Sequence, residues 1–184
     1  MITPWYIAVT PFDPSSGARW EVYIAWSGLT QLTELVSFDN SLCPNVLESL
    51  TAEDWAHNVL EDYVLFFFTD LAYLLARTTG RTPVNILAAV RNPAEECRQA
   101  FPDPRFTFKG FDLVDIHGDL SALTNCGGFP LAFSNAELTD CGLIGVFDRA
   151  CEINRSLRAN YPHEHHAQCD IWALWKMADR PLSP

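Results

Sequence analysis

The sequence predicts an α+β fold, a mixed and mainly antiparallel sheet with helices packed on it, formed by a single globular α+β domain over residues 1–184. Three observations lead there. The first forty residues are rich in aromatic and β-branched side chains broken by turn formers, as in a β meander. Later stretches alternate between 3.6-residue periodicity and short apolar runs, which mixes helices with strands. A chain of 184 residues with 48% apolar and 12% aromatic content is also long and greasy enough to bury one core, and too apolar for disorder.

Taken in order, Trp5-Tyr6-Ile7-Ala8-Val9 and residues 19–26 read as two strands of a hairpin. The turn between them is Pro11-Phe12-Asp13-Pro14-Ser15-Ser16-Gly17. Residues 32–38 alternate moderately and suggest a third strand, ended by Cys43-Pro44-Asn45. Thr51-Ala52-Glu53-Asp54 has the hydroxyl cap and early carboxylates of a helix start. The helix predicted there carries Ala52, Trp55, Ala56, Val59, Leu60 and Tyr63 on its apolar stripe, leaving Glu53, Asp54, His57, Asn58, Glu61 and Asp62 on its wet side. Residues 64–75 are nearly all apolar and read as a buried helical continuation stopping at Thr79-Gly80.

Residues 84–90 suit a buried strand, and Asn92-Pro93-Ala94-Glu95-Glu96 has Asn and Pro where a helix begins. Residues 105–108 and 111–116 read as strands around a bulge or turn at Gly110. A long irregular connection over 117–138 leads to a helix predicted from Thr139 or Asp140, with Leu143, Val146, Phe147, Ala150, Ile153 and Leu157 inward and a stop at Asn160-Tyr161-Pro162. Residues 169–177 form the last predicted strand.

Charge speaks to partners. Between Trp20 and Ala76 there is no lysine or arginine, while Glu21, Glu34, Asp39, Glu48, Glu53, Asp54, Glu61, Asp62 and Asp70 supply nine of the eleven net negative charges. A one-signed surface steers basic molecules in, so a basic protein partner is expected, with Glu53, Asp54, His57, Glu61 and Asp62 as its contact face. The same balance, with a pI near 4.7, argues against nucleic acid and anionic membrane as partners. The opening Met1-Ile2-Thr3-Pro4-Trp5-Tyr6 lacks the pattern of a secretory signal, and no apolar run approaches a membrane span. The six cysteines include no CxxC pair, so reduced thiols and a cytoplasmic location are expected.

Two constellations could carry chemistry. His163-Glu164-His165-His166-Ala167-Gln168-Cys169 packs His163, His165, His166 and Cys169 into seven residues, the donor types zinc accepts; Asp115, His117, Asp119 or Cys126 could complete the site. Cys126 before Gly127-Gly128 sits where a thiol nucleophile could find backbone donors, with His117 or the later histidines as base. Each also has a plain structural reading, as an exposed turn and a glycine turn. Asp112 and Asp115 lie three apart on a predicted strand and so face opposite ways, which disfavours a joint acid–base role. No catalytic residue is assigned, and no cofactor is required, although zinc is possible.

Ser37-Phe38-Asp39, Glu53-Asp54-Trp55, Gly110-Phe111-Asp112-Leu113, Leu123-Thr124-Asn125-Cys126-Gly127-Gly128-Phe129 and Cys169-Asp170-Ile171-Trp172-Ala173-Leu174-Trp175, with the size and acidity, give the resemblance. The chain resembles the small acidic immunity proteins that bacteria encode beside polymorphic toxins. That resemblance implies a cytoplasmic inhibitor that binds and neutralises a cognate basic toxin, such as a nuclease, by stoichiometric inhibition. The alternatives are a metal- or thiol-dependent hydrolase using the His163 to Cys169 cluster or Cys126, and a phage-encoded acidic inhibitor of a host defence complex.

Overall fold

Residues 3–57, 65–94, 101, 103–116, 120–125 and 128–178 are described by a computed structural model of the chain. Four strands make one sheet: β1 (Trp5–Val9), β2 (Asn85–Arg91), β3 (Phe106–Asp115) and β4 (Cys169–Met177). Their order is β1-β2-β4-β3, and every pairing is antiparallel. Four helices accompany it, α1 (Ala18–Ser27), α2 (Ala52–His57), α3 (Leu71–Arg77) and α4 (Phe147–Asn160). The α+β expectation holds, with the sheet wholly antiparallel among the described residues.

The central strand β4 explains its own sequence. Alternate residues of a strand point to opposite faces, and here both faces are covered, so Ile171-Trp172-Ala173-Leu174-Trp175 can be apolar throughout. On one face Trp172 stacks on Phe67 at 5.1 Å and meets Phe38 edge-on at 5.3 Å. Those rings come from irregular segments that cross the sheet. On the other face Phe111 packs against Phe147 of α4, whose Ala150, Ile153 and Leu157 are buried. Trp175 on that same face gathers Phe101 and Phe108.

The predicted hairpin is the clearest departure. Residues 19–26 form α1, and β1 pairs instead with β2. Its other edge is taken by single bridges from Tyr6 to Phe68 and from Val9 to Asn45, so no edge remains for the neighbouring segment. Gly17 and the left-handed Gly28 bound the helix, and Trp20 and Tyr23, three apart, pack round Phe12. Tertiary packing overrode the β propensity of the aromatic run.

Three further boundaries move. Residues 32–38 make only one bridge, Phe12 to Leu35, and pack as buried irregular chain. The apolar run before Leu71 is not helical over residues 65–70; Phe67 and Phe68 are core residues, and the helix begins after Asp70, whose carboxylate accepts from Ala72 N and Tyr73 N. The last helix starts at Phe147 rather than Thr139 or Asp140, because Ile144 bridges Phe111 through two backbone hydrogen bonds and is held to the sheet. The helix predicted after Asn92-Pro93 falls largely outside the described residues.

The strands predicted at 105–108 and 111–116 are one strand, β3, bulged between Phe108 and Gly110. Gly110 has φ +146°, and a Cβ there would stand 2.7 Å from Leu143 Cβ and 2.9 Å from the Ile144 carbonyl oxygen. Gly80 also has positive φ but opens on free space. Gly110→Ala is therefore expected to destabilise the chain by about 1–3 kcal/mol beyond the conformational cost shared with Gly80→Ala. Urea midpoints of the two variants at equal m-value check this.

Candidate functional site

The helix α2 opens as the sequence predicts, with a twist in its chemistry. Thr51 Oγ1 accepts from Asp54 N at 3.2 Å, while Asp54 Oδ2 accepts from Thr51 N at 2.7 Å and from the Thr51 hydroxyl at 2.9 Å. This is a reciprocal capping box with aspartate in the third position. The same carboxylate takes a two-pronged bond from Arg77 of α3, Nε to Oδ1 at 2.7 Å and Nη2 to Oδ2 at 2.8 Å, and one from the Tyr73 hydroxyl at 2.7 Å. Asp54 is fully buried, and Arg77 with the other donors holds its carboxyl well below the usual range.

Asp54 is therefore not part of the exposed face. It pins α2 to α3, and the pinning turns the helix relative to the predicted stripe. Ala52 and Ala56 are exposed and Trp55 is 47% exposed, while the half-buried His57 stacks on Tyr73 at 4.1 Å. Glu53 remains exposed. Glu61 and Asp62 lie outside the described residues. Of the five expected contact residues, Glu53 stands outward, and the structure adds an exposed Trp55 two residues further along the helix.

A second exposed aromatic surface lies on α1. Val22 is 67% and Trp26 56% exposed, and they border an open cleft of about 500 Å³ with Phe12, Tyr23 and Leu42 on its walls. An apolar cleft rimmed by an exposed tryptophan is the kind of surface that buries a partner's side chain. Sequence reasoning missed it because those residues were placed on a strand.

Most cations among the described residues are bonded within the chain; the exposed Arg19 lies over the Phe12 ring at 5.7 Å. Both lysines of the chain, Lys109 and Lys176, donate to the two oxygens of Glu34 at 2.6 and 2.5 Å. Burial acts to raise that carboxyl, but the two ammonium groups overcome it and hold it down at about 2. Arg91 pairs with Asp170, Arg105 with Asp103, and Arg149 with Glu137 and Glu152. Arg81 and Arg158 donate to the carbonyls of Val46 and Cys169. Meanwhile Glu21, Glu48, Glu53, Asp148 and Glu164 are exposed and have no ion pair among the described residues. Lys176, Glu34 and Arg81 also line a cavity of about 840 Å³, walled in part by residues 78–86. Its charged walls are thus bonded within the chain.

A buried polar network was also missed. Asp112 accepts from Ser37 Oγ at 2.7 Å, Ser121 Oγ at 2.6 Å and Leu113 N at 2.8 Å. Asp39 accepts from Ser41 N, Leu42 N, Ser121 N and Asn125 Nδ2. Complete burial pushes the Asp112 carboxyl up to about 6 despite the two serines, with the Asp39 charge adding to the rise. The Asp-Asn-Ser stretch at Asp39 is the local signal of such a carboxylate turn.

The predicted metal cluster assembles in part. Asp115 is fully buried at the end of β3 and faces the histidines, on the opposite face from Asp112, as the strand spacing requires. Asp115, His165 and His166 bring one donor atom each within 4.8 Å of one another. Neither His163 nor Cys169 belongs to that group: His163 is exposed, and the Cys169 thiol donates to the His166 carbonyl. Cys126 and His117 lie outside the described residues. Burial drives the thiols of Cys43 and Cys141 up to about 12 and also raises Cys151, the reverse of what a cysteine nucleophile needs. No described helix is long and apolar enough to cross a membrane.

No family model, curated protein or solved structure matches this chain.

Proposed function

We propose that the chain is a binding protein that captures and neutralises a basic protein, as an immunity protein neutralises a toxin, with α2 supplying part of the contact face. One observation carries the reading: α2 leaves Trp55 47% exposed and Glu53 exposed without an ion pair among the described residues, while Lys109, Lys176 and Arg77 are taken up in bonds within the chain. A tryptophan anchor and an unpaired carboxylate carried on one helix offer both the apolar burial and the charge matching that a cationic cleft needs. The α1 cleft offers a second exposed tryptophan, with Arg19 rather than a carboxylate on its wall. Cys126, one thiol of the hydrolase alternative, lies outside the described residues.

The test begins with affinity purification of the tagged chain from its native host at moderate salt, to recover a basic partner at near equal stoichiometry. With that partner, Glu53→Lys is expected to slow association, more strongly at low salt, because rim charge acts mainly on the on-rate. Trp55→Ala is expected to weaken binding by about 30-fold, roughly 2 kcal/mol, chiefly through faster dissociation. Unchanged kinetics in both variants would take α2 out of the interface. A partner of acidic or neutral charge would overturn the proposal itself.

A further inference from the structure

We propose that Asp115, His165 and His166 form a binding site for a divalent cation of the zinc class, a property that does not depend on the partner-binding reading. The corner of the fold that carries these residues is fixed by its backbone. Asp115 pairs with Cys169 across β3 and β4, and its amide donates to Leu120 O. His165 and His166 lie in the short 3₁₀ turn His165–Ala167 that feeds β4, and Ile116 N donates to Gln168 O across the gap. Asn154 and Arg158 of α4 both donate to the Cys169 carbonyl, closing the corner from the helix side.

The donor geometry points to a metal. Both imidazole Nδ1 atoms face one carboxylate oxygen, Asp115 Oδ2, at 3.4 Å from His166 and 3.8 Å from His165. The His166 contact is a long hydrogen bond, beyond the usual range of about 2.7–3.2 Å, and the His165 contact lies outside hydrogen-bond range. Zinc held tetrahedrally by bonds of roughly 2.0–2.2 Å places neighbouring donors roughly 3.4 Å apart. Two nitrogens and one carboxylate oxygen are also the donor set zinc accepts at sites that keep a coordination position for water or another ligand. Access agrees with that. The carboxylate is buried, while the His166 and His165 side chains are 38% and 60% exposed, so the cluster opens outward through its imidazoles.

The probe is zinc chloride, titrated calorimetrically into the full chain after chelator treatment, with cobalt(II) chloride as the spectroscopic substitute. Saturable uptake of one zinc per chain is expected, with visible cobalt bands of a four-coordinate ion. His166→Ala should weaken zinc binding by about 100-fold or more, since even indirect support of a ligand is worth about 10–100-fold. His163→Ala, outside the trio, should bind as the parent does. Asp115→Asn should also lose the cobalt bands; should that buried change prevent folding, the partly exposed His166 variant decides alone. Absence of saturable binding, parental affinity in His166→Ala, or equal loss in His163→Ala would overturn the site. None of these results bears on Glu53 or Trp55, so failure here and failure of the partner reading are separable.

Discussion

Asp54→Ala is expected to cost about 3 kcal/mol of folding stability at neutral pH, near the lower end of what breaking a buried ion pair costs, because Arg77 keeps 31% of its side-chain exposure. The loss follows from the donors left behind. The Arg77 fork, the Tyr73 hydroxyl and the Thr51 amide and hydroxyl all end on this one carboxylate. Asp54→Asn keeps the shape but loses the charge and should fall between parent and alanine. The pH dependence has a definite sign. A carboxyl held below its unfolded value stabilises the fold above about pH 4 and loses that contribution as pH falls through the folded value. The gap in denaturant midpoint between parent and alanine variant should therefore be narrower at pH 3 than at pH 7, while still open at pH 3. Because Asp54 orients α2, partner association should weaken in the same variant.

The second large effect runs the other way. Asp112 has a carboxyl raised to about 6 in the folded chain, against about 3.9 when unfolded. Its stabilising contribution is complete below about pH 4 and is lost as pH rises through 6. Two units correspond to about 3 kcal/mol across that window. Asp112→Asn, neutral at every pH, should flatten the slope of unfolding free energy between pH 4 and 6, as measured by urea titration at each pH. An undiminished slope would place the proton elsewhere. With the carboxylates of Asp54 and Glu34 acting on the acid side and Asp112 on the neutral side, the parent chain should be most stable near pH ~4.

How much of this the sequence carried depends on whether a residue's partner was local. The β2 and β4 segments, the bulge at Gly110 and the end of α4 at Asn160 were legible because apolar runs and punctuating residues decide them over a few positions. The α1 segment was not, since the choice between strand and helix rested on β1 finding its neighbours at Phe68 and in β2, far along the chain. Asp54 failed for a similar reason: periodicity placed it outward, whereas Arg77, twenty-three residues later, drew it in. The capping-box spacing from Thr51 was the local hint that this carboxylate was already committed. In the histidine cluster, sequence proximity grouped His163 and Cys169 with the rest, yet strand pairing chose Asp115 instead.

The convergence of Lys109 and Lys176 on Glu34 has a practical side for anyone mapping the surface chemically. These are the only lysine amines in the chain, both side chains are at most 25% exposed, and both donate to one carboxylate. At lysine, amine-reactive labels and cross-linkers would find slow, sheltered targets in β3 and β4 and none on α2. Carbodiimide coupling through the exposed glutamates, Glu53 first among them, reaches the face where a partner is expected to sit.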